Sequence, residues 1–396
     1  MIPYGRQAID NADIEAVVQV LTSDFLTQGP RLEAFEKAIS DYLSPAGSEA
    51  ARIHTVATNS ATSALHVACM ALDVGPGDLV WTCANSFAAS SNCALYCGAE
   101  VDFVDIDPLT LNISTAALAA KLSQARSQGR LPKVVIPVDF AGKPAPLAAI
   151  RALANEFGFS ILEDASHAIG SQYQGQLVGS HGLADITVFS FHPVKIITTA
   201  EGGLAATHSA ELARRMAMLR SHGITRDEAD LVRHDVGGWY YEQLALGYNY
   251  RLTDLQAALG ISQLLKIDGF IAARHALRTQ YQARLEPLVK AGLIQLQALD
   301  EPGELSALHL YPIQVLPASG KSRRQVYDSL RGAGIGVNVH YIPIYLHPYY
   351  ENLGFKPGLC PAAELYYNQA ISLPMHPALT DAELAHVTDS LARELA

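Results

Sequence analysis

Short apolar runs alternate with helical patterns through the first half of the chain, and this alternation restricts the fold more than any other feature. The apolar runs cover residues 53–57, 79–82, 100–104, 134–138 and 160–162, and the helical patterns cover residues 64–72, 86–94, 115–127 and 146–157. Strands that alternate with helices form βαβ units, so the pattern predicts an α/β domain around a mostly parallel sheet. Ligands of such sheets bind at the carboxyl ends of the strands.

The second half of the chain predicts a different arrangement. A long helical segment spans residues 252–284, and residues 308–315, 324–330, 336–341 and 381–395 then follow the order strand, helix, strand, helix. Thr380 and Glu383 form a capping box for the last helix, as Asp10 caps the first. Because 396 residues exceed the size of a single core, we predict a large domain over residues 1–262 and a smaller C-terminal α+β domain over 263–396.

Composition excludes several classes of protein. The net charge is −11 and no block of Lys and Arg occurs, which argues against a nucleic-acid partner and against a polybasic membrane contact. The N-terminal residues lack an apolar signal core and no window is long enough to span a membrane, so we expect a cytoplasmic protein. The five cysteines lack Cys-x-x-Cys spacing, which predicts buried free thiols.

Lys195 occupies an unusual environment for a lysine. It follows the apolar run that begins at Val188, and Glu201 is the one charged residue within eight positions on either side. A lysine in apolar surroundings either extends to water or loses its proton more easily, and a neutral lysine is an amine nucleophile that forms imines with carbonyl compounds such as pyridoxal phosphate. A surface lysine whose aliphatic stem covers the end of a strand is the alternative.

Two other stretches supply what pyridoxal phosphate chemistry requires besides an amine. The strand at residues 53–57 leads through Asn59 and Ser63 into a helix start, where free backbone N–H groups can hold a phosphate. Asp164 ends a buried strand and can pair with the ring nitrogen of the cofactor. Each has a plain alternative, since Ser and Thr are ordinary helix caps and Asp164 could cap a short turn at Ala165.

Four motifs, in order along the chain, resemble those of one family. Residues 163–168 (EDASHA), 190–195 (SFHPVK), 201–203 (EGG) and 246–253 (LGYNYRLT) are similar to the motifs of the DegT/DnrJ/EryC1/StrS nucleotide-sugar aminotransferases. The resemblance covers essentially the whole chain. It implies the type I fold of pyridoxal-phosphate-dependent transferases, which is that of aspartate aminotransferase.

Within that family the chain looks most like the enzymes that aminate carbon 4 of a UDP-linked 4-keto-6-deoxy-N-acetyl hexose for pseudaminic acid synthesis. The resemblance lies in residues 24–30, 59–65, 339–345 and 372–377. Two positions depart from the broader family, because Ala61 stands where glycine is usual and His167 stands where many members have glutamine.

The resemblance implies a role for each matched residue. Lys195 would hold pyridoxal phosphate as an imine and then act as general base and acid, and Asp164 would pair with the ring nitrogen. The other cofactor contacts would be Ala61, Thr62 and Ser190 at the phosphate, Phe87 on the ring, His167 at the ring hydroxyl, and Asn249 from a partner subunit. The sugar nucleotide would contact Tyr4, Asp24, Phe25, Leu26, Thr27, Val339, His340, Tyr341 and Ile342, with Ala61, Ser190 and Asn249 shared between substrate and cofactor. L-Glutamate would be the amino donor, and the active unit would be a homodimer with shared active sites.

Other functions are less compatible with these residues. His192, His222, His234, His340 and His347 do not have the spacing of metal ligands, so no metal site is predicted. A dehydratase of the same fold has histidine at the lysine position, against which Lys195 argues directly. A non-catalytic sugar-nucleotide sensor would be free to lose Lys195 or Asp164. An aminotransferase for a GDP- or dTDP-linked keto sugar stays open as the nearest alternative.

Overall fold

The computed structural model describes residues 1–44, 52–234 and 236–395, and its largest feature is a seven-stranded sheet. The strands are β1 (His54–Thr58), β2 (Leu79–Cys83), β3 (Glu100–Val104), β4 (Val134–Ile136), β5 (Ser160–Asp164), β6 (Gln172–Tyr173), β7 (Gln176–Leu177), β8 (Ile186–Ser190), β9 (Gly203–Thr207), β10 (Ile224–Thr225), β11 (Glu242–Gln243), β12 (Ile294–Leu296), β13 (Tyr311–Val315) and β14 (Ala370–Leu373). The α-helices are α1 (Asn11–Leu21), α2 (Pro30–Leu43), α3 (Ala61–Ala71), α4 (Ala89–Tyr96), α5 (Thr115–Gln128), α6 (Leu147–Phe157), α7 (Ala210–Arg220), α8 (Asp254–Leu264), α9 (Ile267–Lys290), α10 (Arg323–Gly332), α11 (Pro348–Asn352), α12 (Pro361–Gln369) and α13 (Asp381–Leu395).

The order of strands in the large sheet is β1-β9-β8-β5-β4-β2-β3. Strand β9 runs antiparallel to both of its neighbours, and all other pairs are parallel. Strands covered on both faces of a sheet are apolar at nearly every position, and every residue of β4, β8 and β9 is accordingly buried. The predicted α/β fold with a mostly parallel sheet is confirmed.

Helices cover both faces of the sheet, and the pleat of the strands distributes the core between them. In β8, Val188 packs into the cluster that contains α3, α4, α5 and α6, whereas the adjacent Phe189 packs into the cluster that contains α2 and α8. This alternation follows from the period of two in a strand. The sheet is therefore the middle layer of three.

A three-stranded antiparallel sheet, β12-β13-β14, organises the C-terminal part. Its core includes Leu277 of α9, Val326 of α10 and Leu391 of α13. The predicted capping box is present, because the Glu383 carboxylate accepts hydrogen bonds from Thr380 and the Thr380 hydroxyl accepts the Glu383 N–H. The division into domains 1–262 and 263–396 stays a prediction.

Three predicted elements differ from the structure. The helix predicted over residues 86–94 begins later, as α4. The long helical segment over 252–284 is two helices, since the chain breaks at Leu265 and Lys266, where the Lys266 ammonium pairs with Asp13. Within the described residues, the segment predicted as a strand over 336–341 forms a single bridge, between Asn338 and Ser372 of β14, and no continuous ladder.

The cysteines agree with the predicted free thiols with one difference in burial. Cys69, Cys83, Cys93 and Cys360 are buried and unbonded, whereas Cys97 is half-buried. Burial raises the pKa of the Cys83 thiol to about 12, so this thiol is protonated and unreactive at neutral pH. Within the described ranges, no helix combines the length and apolar character needed to cross a membrane.

Candidate active site

The predicted cofactor residues gather where two neighbouring strands end. Strands β5 and β8 pair in parallel, with Asp164 opposite Val188, so their carboxyl ends lie side by side. Asp164 is the last residue of β5, Ser190 is the last residue of β8, and Lys195 follows Ser190 in the connection to β9. The sheet therefore brings together three residues that the sequence separates by up to 31 positions.

The carboxylate of Asp164 is buried and fixed in place. One oxygen, Oδ1, accepts the Ser166 backbone N–H at 3.1 Å and the Ser166 hydroxyl at 2.5 Å. The other oxygen, Oδ2, accepts the Ser90 hydroxyl at 2.6 Å. The alternative role is present in part, because Oδ1 caps the short turn after Asp164 through the Ser166 N–H, whereas Oδ2 binds Ser90. A buried carboxylate held by three hydrogen bonds has the geometry expected of a partner for a ring nitrogen.

Lys195 lies in a turn, where its backbone N–H donates to the carbonyl oxygen of His192. Part of the side chain reaches the surface, yet burial of the amine lowers its pKa to about 8, and the nearby Asp164 carboxylate offsets the effect only in part. Among the described residues, no carboxylate forms a salt bridge with this amine. With this pKa roughly a tenth of Lys195 is the neutral amine at pH 7, far more than for an ordinary lysine, and the neutral amine is the form that attacks carbonyl carbon.

The start of α3 has the predicted form of a phosphate cradle. The Ser60 hydroxyl caps the helix by accepting the Ser63 N–H at 3.1 Å. This cap leaves the N–H groups of Ala61 and Thr62 unbonded within the described part of the chain, and the positive end of the helix dipole lies at the same place. Both residues are half-buried, so an anion can reach them.

Gly203 explains how closely β9 approaches this cradle. A Cβ atom at Gly203 would lie 2.4 Å from the Ala61 nitrogen and 2.4 Å from the Ser60 carbonyl carbon, so a side chain does not fit. Gly203 also pairs with Ser190 across β8 and β9. Ser190 is thereby placed beside the start of α3, as the prediction of a shared phosphate site requires.

A wall of neutral aromatic groups stands beside Lys195. The Nδ1 of His167 accepts the Ala141 N–H at 3.2 Å, so the proton of this imidazole is on Nε2, which lies 3.3 Å from the Tyr341 hydroxyl. Burial, and then the Lys195 charge, lower the pKa of His167 well below its usual range. Burial and Lys195 likewise lower the pKa of His340 to about 3. Burial raises the pKa of Tyr341, so the whole wall is uncharged at neutral pH.

The predicted substrate residues fall into two groups. Tyr4 lies against the wall, with its ring centroid 5.3 Å from that of His340, and the half-buried Val339 and Ile342 flank the wall. The second group, Asp24 to Thr27, is exposed, and Thr27 bridges to Thr253, before α8. The structure thus brings Tyr4 and residues 339–342 together, and in the described part of the chain no hydrogen bond or ring contact joins residues 24–27 to them.

Asn249 and Phe87 are both exposed beside the site. The Asn249 carbonyl oxygen lies 3.5 Å from the Asn59 side-chain nitrogen, next to the phosphate cradle of its own chain. That Asn249 serves a partner subunit stays a prediction. Phe87 is 63% exposed, and its ring centroid lies 6.3 Å from that of Tyr341, which leaves its face open for stacking.

The sequence prediction missed two residues of the site. Ser90 binds Asp164, and His309 packs its ring against His167 at a centroid distance of 4.3 Å. The sequence does contain an indication of His309, because it is a lone histidine inside an apolar run, just as Lys195 is a lone lysine. Ser90 had none, since serines are frequent in residues 86–91 and nothing singles it out.

These groups fit pyridoxal phosphate. The cofactor requires three elements: an amine, a buried carboxylate and unbonded N–H groups at a helix start. The fold places all three at the same end of the sheet. The fit rests on Asp164 Oδ2, on the lowered pKa of Lys195 and on the cradle closed by Gly203.

Comparison with known proteins gives a consistent result. A family model described as the DegT/DnrJ/EryC1/StrS aminotransferase family matches residues 7–392. A UDP-4-amino-4,6-dideoxy-N-acetyl-beta-L-altrosamine transaminase from Campylobacter jejuni is 36% identical over 391 residues, or 99% of this chain and 96% of that protein. The spore coat polysaccharide biosynthesis protein SpsC from Bacillus subtilis is 35% identical over 393 residues, or 98% of this chain and 96% of that protein.

Solved structures of similar proteins extend over the same length. The structure of Helicobacter pylori PseC, an aminotransferase involved in the biosynthesis of pseudoaminic acid, has a TM-score of 0.85 at 32% identity and covers 100% of this chain and 99% of its own. The aminotransferase TlmJ from Streptoalloteichus hindustanus has a TM-score of 0.87 at 28% identity, with coverage of 100% and 99%. The predicted type I fold of pyridoxal-phosphate-dependent transferases is confirmed by these neighbours.

Proposed function

The chain belongs to the DegT/DnrJ/EryC1/StrS family of sugar aminotransferases, and we propose that it transfers an amino group from L-glutamate to carbon 4 of a UDP-linked 4-keto-6-deoxy-N-acetyl hexose. The product would be UDP-4-amino-4,6-dideoxy-N-acetyl-beta-L-altrosamine, a precursor of pseudaminic acid. The observation that carries the chemistry is an amine with a pKa of about 8 beside a buried, hydrogen-bonded carboxylate. The choice of sugar is supported by the Campylobacter and Helicobacter relatives.

The residues of this chain would divide the work around bound pyridoxal phosphate. The cofactor supplies a ring that stabilises negative charge on the carbon that loses a proton. Asp164 Oδ2 would accept a hydrogen bond from the ring nitrogen, and the N–H groups of Ala61 and Thr62 with the Ser190 hydroxyl would hold the phosphate.

Lys195 would remove a proton from one of the two carbons between which the amino group moves and would deliver a proton to the other. A general base works best when its pKa is close to the operating pH, which a pKa of about 8 satisfies and an ordinary lysine does not. The neutral wall of His167, His340 and Tyr341 would help to keep water from the reacting carbon without adding a competing charge.

We propose a homodimer as the active unit. Support comes from three exposed apolar side chains between β10 and α8, with Val232, Trp239 and Leu246 exposed by 76%, 77% and 76%. Apolar surface of this kind is typical of a protein interface. Asn249 follows this segment directly, so the same interface would carry it to the phosphate site of the second subunit.

A spectroscopic titration tests the proposal. The purified protein should show the visible absorbance of lysine-bound pyridoxal phosphate, lose it on addition of L-glutamate, and regain it on addition of the UDP-linked keto sugar. Lys195→Ala should abolish this absorbance and turnover, whereas Lys356→Ala, which removes an exposed lysine, should change neither. A Lys195→Ala variant with full turnover would refute the mechanism.

A different keto sugar is the second candidate. SpsC matches the chain about as well as the Campylobacter transaminase does, and its name refers to a spore coat polysaccharide. The same titration with GDP- and dTDP-linked keto sugars separates the two candidates. Recovery of the absorbance with one of these, and not with the UDP sugar, would keep the aminotransferase and change its substrate.

A further inference from the structure

Asp164 is held from two sides, and one of them comes from a distant part of the chain. Its Oδ1 is bound by Ser166 within the turn that follows β5, which any chain with this local sequence could form. Its Oδ2 is bound by Ser90, 74 residues earlier at the start of α4, through a hydroxyl that is fully buried. Only the tertiary fold makes the second contact.

The direction of this hydrogen bond extends to a second serine. A carboxylate oxygen can only accept a hydrogen bond, so the Ser90 hydroxyl donates its single proton to Asp164 Oδ2 at 2.6 Å. Ser86 Oγ lies 2.6 Å from Ser90 Oγ, and because Ser90 has no proton left, Ser86 must be the donor. The result is a directed chain of hydrogen bonds from Ser86 through Ser90 to Asp164.

This chain has properties that suit a positioning role. Both O···O distances are those of strong hydrogen bonds, and hydrogen bonds in series polarise and strengthen one another in a buried site. The chain also ties the start of α4 to the end of β5. Phe87 lies between the two serines, so the same contacts fix the segment that carries the candidate stacking ring.

We propose that Ser90, supported by Ser86, is a positioning residue that orients the Asp164 carboxylate toward the ring nitrogen of pyridoxal phosphate. The proposal rests on the proposed function, because it assigns Ser90 a role toward the same cofactor. Without the Ser90 hydroxyl, Oδ2 would lose its distant anchor, and the remaining hydrogen bonds to the carboxylate would both come from Ser166 in the following turn.

The neighbouring Ser91 provides a matched control. It is also a fully buried serine on the first turn of α4, and it also makes two side-chain hydrogen bonds, but these go to the Ala88 carbonyl and the Tyr350 hydroxyl and not to Asp164. Ser91→Ala therefore reports what the loss of a buried serine hydroxyl does to this helix without touching the carboxylate.

The experiment compares Ser90→Ala, Ser90→Thr, Ser86→Ala and Ser91→Ala by titrating cofactor-free protein with pyridoxal phosphate. We expect Ser90→Ala to bind the cofactor roughly tenfold more weakly, as loss of one hydrogen bond to a charged group predicts. The pH dependence of the bound cofactor's absorbance should shift, and kcat should fall while KM for glutamate is unchanged. Ser86→Ala should show a smaller change of the same kind, Ser90→Thr should restore wild-type values, and Ser91→Ala should match wild type in all of them.

Two outcomes would overturn the inference. The first is a Ser90→Ala variant whose cofactor affinity and pH profile equal those of Ser91→Ala. The second is a Ser86→Ala variant with wild-type cofactor affinity and pH profile, and this outcome is decisive even if Ser90→Ala fails to fold. Failure of the proposed function looks different, because the wild-type protein itself would then bind no pyridoxal phosphate.

Discussion

Replacing Lys195 by methionine should stabilise the cofactor-free protein at neutral pH. Burial lowers the pKa of this lysine from 10.5 to about 8, which means that the folded protein holds its charged form at a disadvantage. A difference of about 2.5 pKa units corresponds to about 3 kcal/mol of unfolding free energy. Because part of the side chain reaches solvent, we expect a gain of about 1–3 kcal/mol in the variant. Methionine is unbranched and apolar, so it occupies similar space without the charge.

The gain should depend on pH in a defined direction. Below pH 8 the lysine is protonated in both the folded and the unfolded chain, so the wild-type protein carries the full cost of the buried charge. Between pH 8 and about 10.5 the unfolded chain retains a proton that the folded chain has lost, so the stability of the wild-type protein rises with pH in this window. Above the window both states are neutral, and the difference between the two proteins should vanish.

Urea unfolding of both cofactor-free proteins at pH 7, 9 and 10.5 measures this difference. Lys356→Met is the control, because Lys356 is exposed and its replacement should change stability little at every pH. A Lys195→Met variant that is no more stable than wild type at pH 7, or whose advantage stays constant up to pH 10.5, would refute the assignment of a low-pKa amine to this site.

Two further predictions follow from the site. Gly203→Ala should destabilise the protein by more than about 3 kcal/mol and weaken pyridoxal phosphate binding, because its Cβ would meet backbone atoms at 2.4 Å. The control is Gly269→Ala, inside α9 with no atom within 4 Å of its Cβ, which should stabilise the protein by about 0.5–1 kcal/mol. Thermal and urea unfolding of both variants measures the difference, and equal changes in unfolding free energy would contradict the close packing at Gly203. Mixing inactive Lys195→Ala protein with Asn249→Ala protein should restore activity if Asn249 serves the partner's site, since the hybrid then contains one intact site; activity no higher than the sum of the two variants would place Asn249 in its own subunit's site.

The fold could be predicted from the sequence where local pattern and tertiary structure agree. The apolar runs correspond to β1 to β5, and the central strand β4 shows the reason most clearly, because a strand covered on both faces is apolar at nearly every position. The pattern failed at residues 336–341, which form one bridge, from Asn338 to Ser372, and no ladder in the part of the chain that the structure describes. Strand formation depends on a neighbouring strand, which a sequence window does not contain.

The candidate site could be predicted where a residue conflicts with its local surroundings. Lys195 among apolar residues and Asp164 at the end of a buried strand are both unusual in sequence, and both lie at the site. Ser90 conflicts with nothing in its surroundings, because a serine near the start of a helix is ordinary. Its importance arises from a partner 74 residues away, so only the fold could reveal it.

The order of strands explains why these residues meet at all. Asp164 and Ser190 end adjacent parallel strands, so their proximity follows from one pairing, β5 with β8. Ser90 follows β2, which is two positions away from β5 in the sheet, with β4 between them. The Ser90 hydroxyl nevertheless lies 2.6 Å from Asp164 Oδ2, so this contact does not follow from the pairing of neighbouring strands. It depends instead on where the tertiary packing places the first turn of α4, a helix that begins at Ala89 and not at Ser86 as the sequence pattern predicts.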